Sequence, residues 1–159
     1  MLQEKISAVV RAAPFLLEGA VMTIKISLIA IIIGSVFGTC VGVINCRRLQ
    51  RPLLGWFLRL YTLVMRGTPI YVQILIAYFA LPDLLGINLS PFMAGVCALG
   101  ANSVAYVSEI VRAGINSIPQ GQWEAAYALG YSTQTTIRFI ILPQMIRNVL
   151  PALTSELIT

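Results

Sequence analysis

Histidine is absent from this 159-residue chain, and charge is scarce: Asp, Glu, Lys and Arg together make up 11% of it. The first absence removes the commonest general base and the commonest zinc ligand. The second removes the polar coat of a water-soluble domain, which carries about a quarter charged residues. Cys40, Cys46 and Cys97 are odd in number, scattered and mostly set in apolar runs. They give neither a disulfide framework nor a metal-ligand spacing, and read as small buried hydrophobes. No Gly-x-x-x-x-Gly-Lys-Ser/Thr loop occurs, which excludes ATP hydrolysis through that phosphate cradle. The net charge is +5, yet no Lys/Arg-rich run with interleaved aromatics is present, so no nucleic-acid surface is indicated.

What is abundant is apolar sequence, at 58% of the chain. No charge occurs from Ile26 to Asn45, a run long enough to cross a hydrocarbon core of about 30 Å as a helix. A cleaved signal peptide fits less well, because the run is long and is followed by Arg47 and Arg48 instead of a small-residue cleavage site. The same length rule predicts a second span from Leu60 to Leu81 and a third from Pro91 to Val111. A fourth apolar segment begins near Ile137 and continues through Pro143 and Pro151 to Thr159, where it reads as unfinished. Ahead of the first span, Leu2, Ile6, Val9, Val10, Ala13 and Leu17 fall on one helical face. Residues 1–22 are therefore expected to lie at the membrane surface as an amphipathic segment, interrupted at Pro14. The expected fold is an all-α integral membrane protein: three full spans and the start of a fourth, in an apparently truncated domain over residues 23–159.

Basic residues set the expected orientation. Arg47, Arg48 and Arg51 follow the first span, and Arg112, Arg138 and Arg147 follow the third, while residues 82–90 contain no Lys or Arg. The positive-inside rule puts the first and third connections in the cytoplasm and the 82–90 loop outside. The N-terminus is then outside, against the weaker pull of Lys5, Arg11 and Lys25.

Gly34, Gly38 and Gly42 recur every four residues and form one smooth helical stripe, suited to close approach of a second helix, either fixed or sliding. Arg66-Gly67-Thr68-Pro69 marks a bend or helix start, with Arg66 able to reach the head groups. Glu109 and Arg112 share a helix face and can pair. Gln73, Asn102, Ser103 and Glu109 are polar groups inside spans. Each is either a contact for a transported zwitterion or an interhelical partner. From Ser117 to Pro143 the pattern predicts two short helices on the cytoplasmic side. The first begins after Pro119 or Gly121, carries Glu124 in its first turn and stops at Gly130. Ser132 caps the second, which runs to Pro143.

That elbow, 117–143, carries a resemblance. Glu124-Ala125-Ala126, then Gly130, then Ile140, Leu142 and Pro143 resemble the spaced signature of ABC importer permeases of the type I fold. The run from Tyr106 through Glu109, Arg112, Gly114, Ser117 and Pro119 to Gly121, with Arg66-Gly67-Thr68-Pro69, resembles the polar amino acid uptake group. The likeness extends from about Phe15 onward. It implies a multi-pass protein of the bacterial inner membrane that pairs with a second permease, itself or a paralogue. Two ATPase subunits would dock on the elbows, and a soluble binding protein would deliver the polar amino acid from outside. ATP and Mg would be bound by the ATPase, and no cofactor by this chain, which is not an enzyme. An ion-coupled secondary transporter or channel is the rival reading, and would need acidic or His relays in the spans.

Overall fold

The computed structural model describes residues 2–49 and 52–158, with side chains described over 12–49 and 52–155. The apolar face expected over residues 2–11, and Arg51 and Thr159, lie outside these. The described residues form helices joined by short turns: α1 (Leu2–Ile44), α2 (Pro52–Gly67), α3 (Ile70–Leu75), a π segment (Ile76–Ala80), α4 (Leu81–Leu85), α5 (Pro91–Asn116), α6 (Gln120–Ala128), α7 (Thr133–Thr136), a second π segment (Ile137–Ile141) and α8 (Leu142–Ile158).

Two of these are long and apolar enough to cross a membrane, Ala12–Ile44 within α1 and Pro91–Asn116. The first and third expected spans are therefore present. The break expected at Pro14 is not: α1 runs through it for 43 residues. Propagation is favourable once a helix is nucleated, so one missing N–H near the end of a long helix does not stop it.

α1 and α5 pack side by side with their chains running the same way. Gly34 faces Ser103, Gly38 faces Val107 and Gly42 faces Val111, each partner 69 residues further along. The same offset persists past the helix ends, where the Arg47 amide donates to Asn116 Oδ1 at 3.2 Å. A Cβ on Gly38 would lie 2.7 Å from Val107 Cβ, and one on Gly42 would lie 2.7 Å from the Ser108 carbonyl oxygen. The glycine stripe is thus the surface of closest approach, and not a lipid-facing one. In lipid no hydrophobic force draws helices together, so contact rests on van der Waals fit that only small residues permit at this distance. Cys46 is buried as expected, whereas Cys40 and Cys97 are exposed on the span surfaces.

The second expected span, Leu60–Leu81, carries the bend and helix start expected at Arg66-Gly67-Thr68-Pro69. α2 and the α3–α4 run meet at 107°, and together they form a single broken span or a re-entrant loop. Pro69 causes the break. It has no amide to continue the ladder and restricts Thr68 to extended backbone, and it serves as the N-cap of α3 with φ −61° and ψ 135°.

Both π segments end two residues before a proline, Pro82 and Pro143. A proline clashes with the carbonyl four residues earlier and cannot bond to it. Here the Leu81 amide reaches back to the Ile76 carbonyl, and the Leu142 amide to the Ile137 carbonyl, five residues in each case. The wider turn admits the proline without ending the helix. The helix expected to stop at Pro143 therefore continues as α8 through Pro151.

Candidate functional site: an elbow and a groove

The elbow begins where Pro119 caps α6. Glu124 is consequently one turn inside the helix and not in its first turn as expected, so it lies beyond the strongest reach of the helix dipole. Its carboxylate accepts from Gln120 Nε2 at 2.6 Å. Gly130 sits at φ 78°, in the left-handed region. Its amide donates to the Tyr127 carbonyl at 2.9 Å, and the Tyr131 amide donates to the Ala126 carbonyl at 3.1 Å. Those two bonds are the pair that closes a helix with a glycine stop. Ser132 Oγ then accepts from the Thr135 amide at 3.2 Å and starts α7.

The seven signature residues divide by side. Ala126 is buried, and Ile140 and Leu142 pack against a core of Val107, Val111, Ile115, Trp123, Ile141 and Met145. Glu124, Ala125, Gly130 and Pro143 are exposed. The buried members fasten the elbow to the end of α5. Tyr127, Leu129 and Tyr131 of the same elbow are exposed as well, Leu129 to 75%. Sequence reading missed the anchor, Trp123. It is 3% exposed, and the Arg48 guanidinium lies 4.9 Å from its ring centre. The basic loop after α1 and the elbow therefore share one end of the molecule. Gly114 was also passed over as a packing residue: a Cβ there would meet Val149 Cγ1 at 2.1 Å, so α5 and α8 approach closely.

A second feature lies along the spans. A groove of about 820 Å³ is walled by Arg66, Thr68 and Pro69 at the bend, by Asn102, Ser103 and Tyr106 on α5, and by Ser27 and Ala30 on α1. The Arg66 guanidinium stands 5.0 Å from the centre of the Tyr106 ring, a cation–π contact. Of the four polar residues singled out in the spans, Asn102 and Ser103 border this groove, while Gln73 and Glu109 are not among its lining residues. Gln73 and Asn102 bond to each other, with Asn102 Nδ2 donating to Gln73 Oε1 at 3.2 Å. Glu109 accepts from both Nε and a terminal nitrogen of Arg112 in a bidentate pair.

Comparison with known proteins places this geometry among relatives. Residues 30–159 match the family described as binding-protein-dependent transport system inner membrane component. The chain is 46% identical over 153 residues to the arginine transport system permease protein ArtQ of Bacillus subtilis (strain 168), covering 96% of this chain and 69% of that protein. It is 41% identical over 155 residues to the glutamine transport system permease protein GlnP of Escherichia coli (strain K12), covering 94% of this chain and 68% of that protein. A putative glutamine transport system permease protein GlnP of Rickettsia typhi is 46% identical over 144 residues, covering 91% of this chain and 65% of its own length. Among solved structures, the crystal structure of an amino acid ABC transporter with histidines superposes with a TM-score of 0.80 at 38% identity, over 95% of this chain and 69% of that one. The chain thus spans about two thirds of the length of these relatives.

Proposed function

This chain belongs to the binding-protein-dependent transport system inner membrane component family, as an amino acid ABC permease, and from that premise we propose that it passes a polar amino acid inward, driven by a separate ATPase. The observation that carries the coupling half of this reading is the elbow. A short helix is pinned on one side through Trp123 and Ala126, while Glu124, Ala125 and Leu129 are exposed. An apolar exposed patch with a central charge suits docking of another protein. An ATPase subunit that changes shape there would push on α5 and α8 through the packed core. A second permease, self or paralogue, would complete the path, and a soluble binding protein would load it.

The groove supports the passage half. Every amino acid carries an α-carboxylate, and Arg66 has no carboxylate partner within ion-pair distance among the described residues. Ser103 adds a polar residue to the wall. An ion-coupled carrier would need a free acid or a proton relay in the spans. The acid that α5 does contain, Glu109, is already paired with Arg112.

Charge and register together support the proposed orientation. Because α1 and α5 run parallel, the basic segment around Arg47 and Arg48 and the elbow emerge on the same side, which the positive-inside rule assigns to the cytoplasm. Single cysteines at positions 86 and 48 in a Cys-free full-length protein check this. On intact cells a membrane-impermeant thiol reagent should label position 86 alone, and labelling of position 48 alone would reverse the topology. The function itself is tested by purifying the tagged full-length protein in mild detergent. ATPase subunits should come with it, and consistent recovery as a lone chain would contradict the reading.

A further inference from the structure

We infer that Gln73 and Asn102 are positioning residues that hold the 107° bend by supplying the donors that Pro69 withholds from the Met65 carbonyl, and so set where Arg66 stands in the groove. In an unbroken helix the residue-69 amide would bond to the carbonyl of residue 65. Proline has no such amide, which leaves the Met65 carbonyl without its helical partner. Two side chains from two different elements meet it instead. Gln73 Nε2 on α3 donates to the Met65 carbonyl at 2.8 Å, and Asn102 Nδ2 on α5 donates to it at 3.1 Å.

The rest of the network fixes both amides. Gln73 Nε2 also lies 2.8 Å from Thr68 Oγ1 and 3.1 Å from the Thr68 carbonyl. Turning the Gln73 amide over would set its oxygen against two carbonyl oxygens, so the donor assignment is dictated by the surroundings. Asn102 has two N–H groups, and they face the Met65 carbonyl and Gln73 Oε1. Both of its donors are therefore spent inside the protein. Asn102 borders the groove but acts through the bend. Arg66, the residue after Met65, is held against Tyr106 by the same arrangement.

The clamp stands on geometry alone, while its consequence for substrate rests on the proposed path through the groove. Gln73→Glu and Asn102→Asp keep shape and replace donors with acceptors. The test places spin labels at Leu53 on α2 and Leu84 on α4, both highly exposed, in the full-length protein within its assembled complex. Either variant should shift and broaden the interlabel distance distribution. The KM for uptake of arginine or glutamine should rise about tenfold, the scale of one lost hydrogen bond. An unchanged distribution in both variants overturns the clamp, whatever uptake does. A broadened distribution with unchanged KM supports the clamp and overturns the path through the groove. Where Gln73→Glu fails to assemble, Gln73→Leu decides: it removes the donor to the Met65 carbonyl without adding a charge and should still shift and broaden the distribution, and an unchanged distribution overturns the inference.

Discussion

Gly130→Val in the full-length protein should leave membrane insertion and complex yield nearly intact and abolish ATP-driven uptake. The glycine stands at φ 78°, where a residue with a Cβ is strained by about 1–2 kcal/mol, and a β-branched one more. No atom lies within 4 Å of the position a Cβ would take, so there is no clash to unfold the protein. The strain can be relieved only by opening the turn. That breaks the bonds from Gly130 and Tyr131 to the end of α6 and displaces the exposed surface around Leu129. Glu124→Lys should act on the same surface by reversing its charge, since Glu124 is exposed and its hydrogen bond comes from Gln120, one turn away in the same helix. A purely structural role for these residues predicts something else: a modest loss spread over yield, stability and transport alike. Measuring uptake and ATP hydrolysis on the same reconstituted complex separates the two. Full, substrate-stimulated activity of Gly130→Val would remove the coupling role assigned to the elbow.

The second large effect is expected in the spans. Gly38→Leu should sharply reduce the yield of folded complex, because its first added atom would lie 2.7 Å from Val107 Cβ and 3.1 Å from the Val104 carbonyl oxygen. One of those neighbours is backbone and cannot swing away. Overpacking a tight contact costs about 1–3 kcal/mol where the structure can adjust, and two parallel helices must separate along their whole length to do so. Gly19→Leu is the internal control. It lies on the same helix with nothing within 4 Å of its would-be Cβ, and should be near neutral. Complex yield by size exclusion and the thermal midpoint of each variant check the pair. Equal behaviour of the two would show that the stripe does not pack as described.

How much of this the sequence revealed depended on whether the cause was local. The glycine stripe, the Ser132 cap and the Gly130 stop are readable because each is set by residues within one or two turns. Pro14 and Pro143 misled, because their effect depends on the backbone around them. Pro69 bends its span as its motif indicated, whereas α1 runs through Pro14 and Pro143 does not end its helix, because a π turn at Ile137–Ile141 makes room for it. No periodicity distinguishes these cases in advance. The roles of Gln73 and Asn102 were half visible. An interhelical bond was one expected use, but their shared target is a backbone carbonyl, and the Asn102 bond to it spans 37 residues of sequence. Trp123 was hidden for a similar reason. Its anchoring role arises only once the ends of α1 and α5 are brought together by a register that runs along the whole interface.

The measurement that tests the central claim most directly is uptake energetics in proteoliposomes bearing the full-length protein with its co-purifying ATPase and a loaded binding protein. The radiolabelled polar amino acid that the binding protein carries should enter only when ATP and Mg are supplied on the ATPase side, and ionophores that collapse proton and sodium gradients should leave the rate unchanged. Uptake that proceeds without ATP and stops when an ion gradient is dissipated would contradict the account and identify an ion-coupled carrier instead.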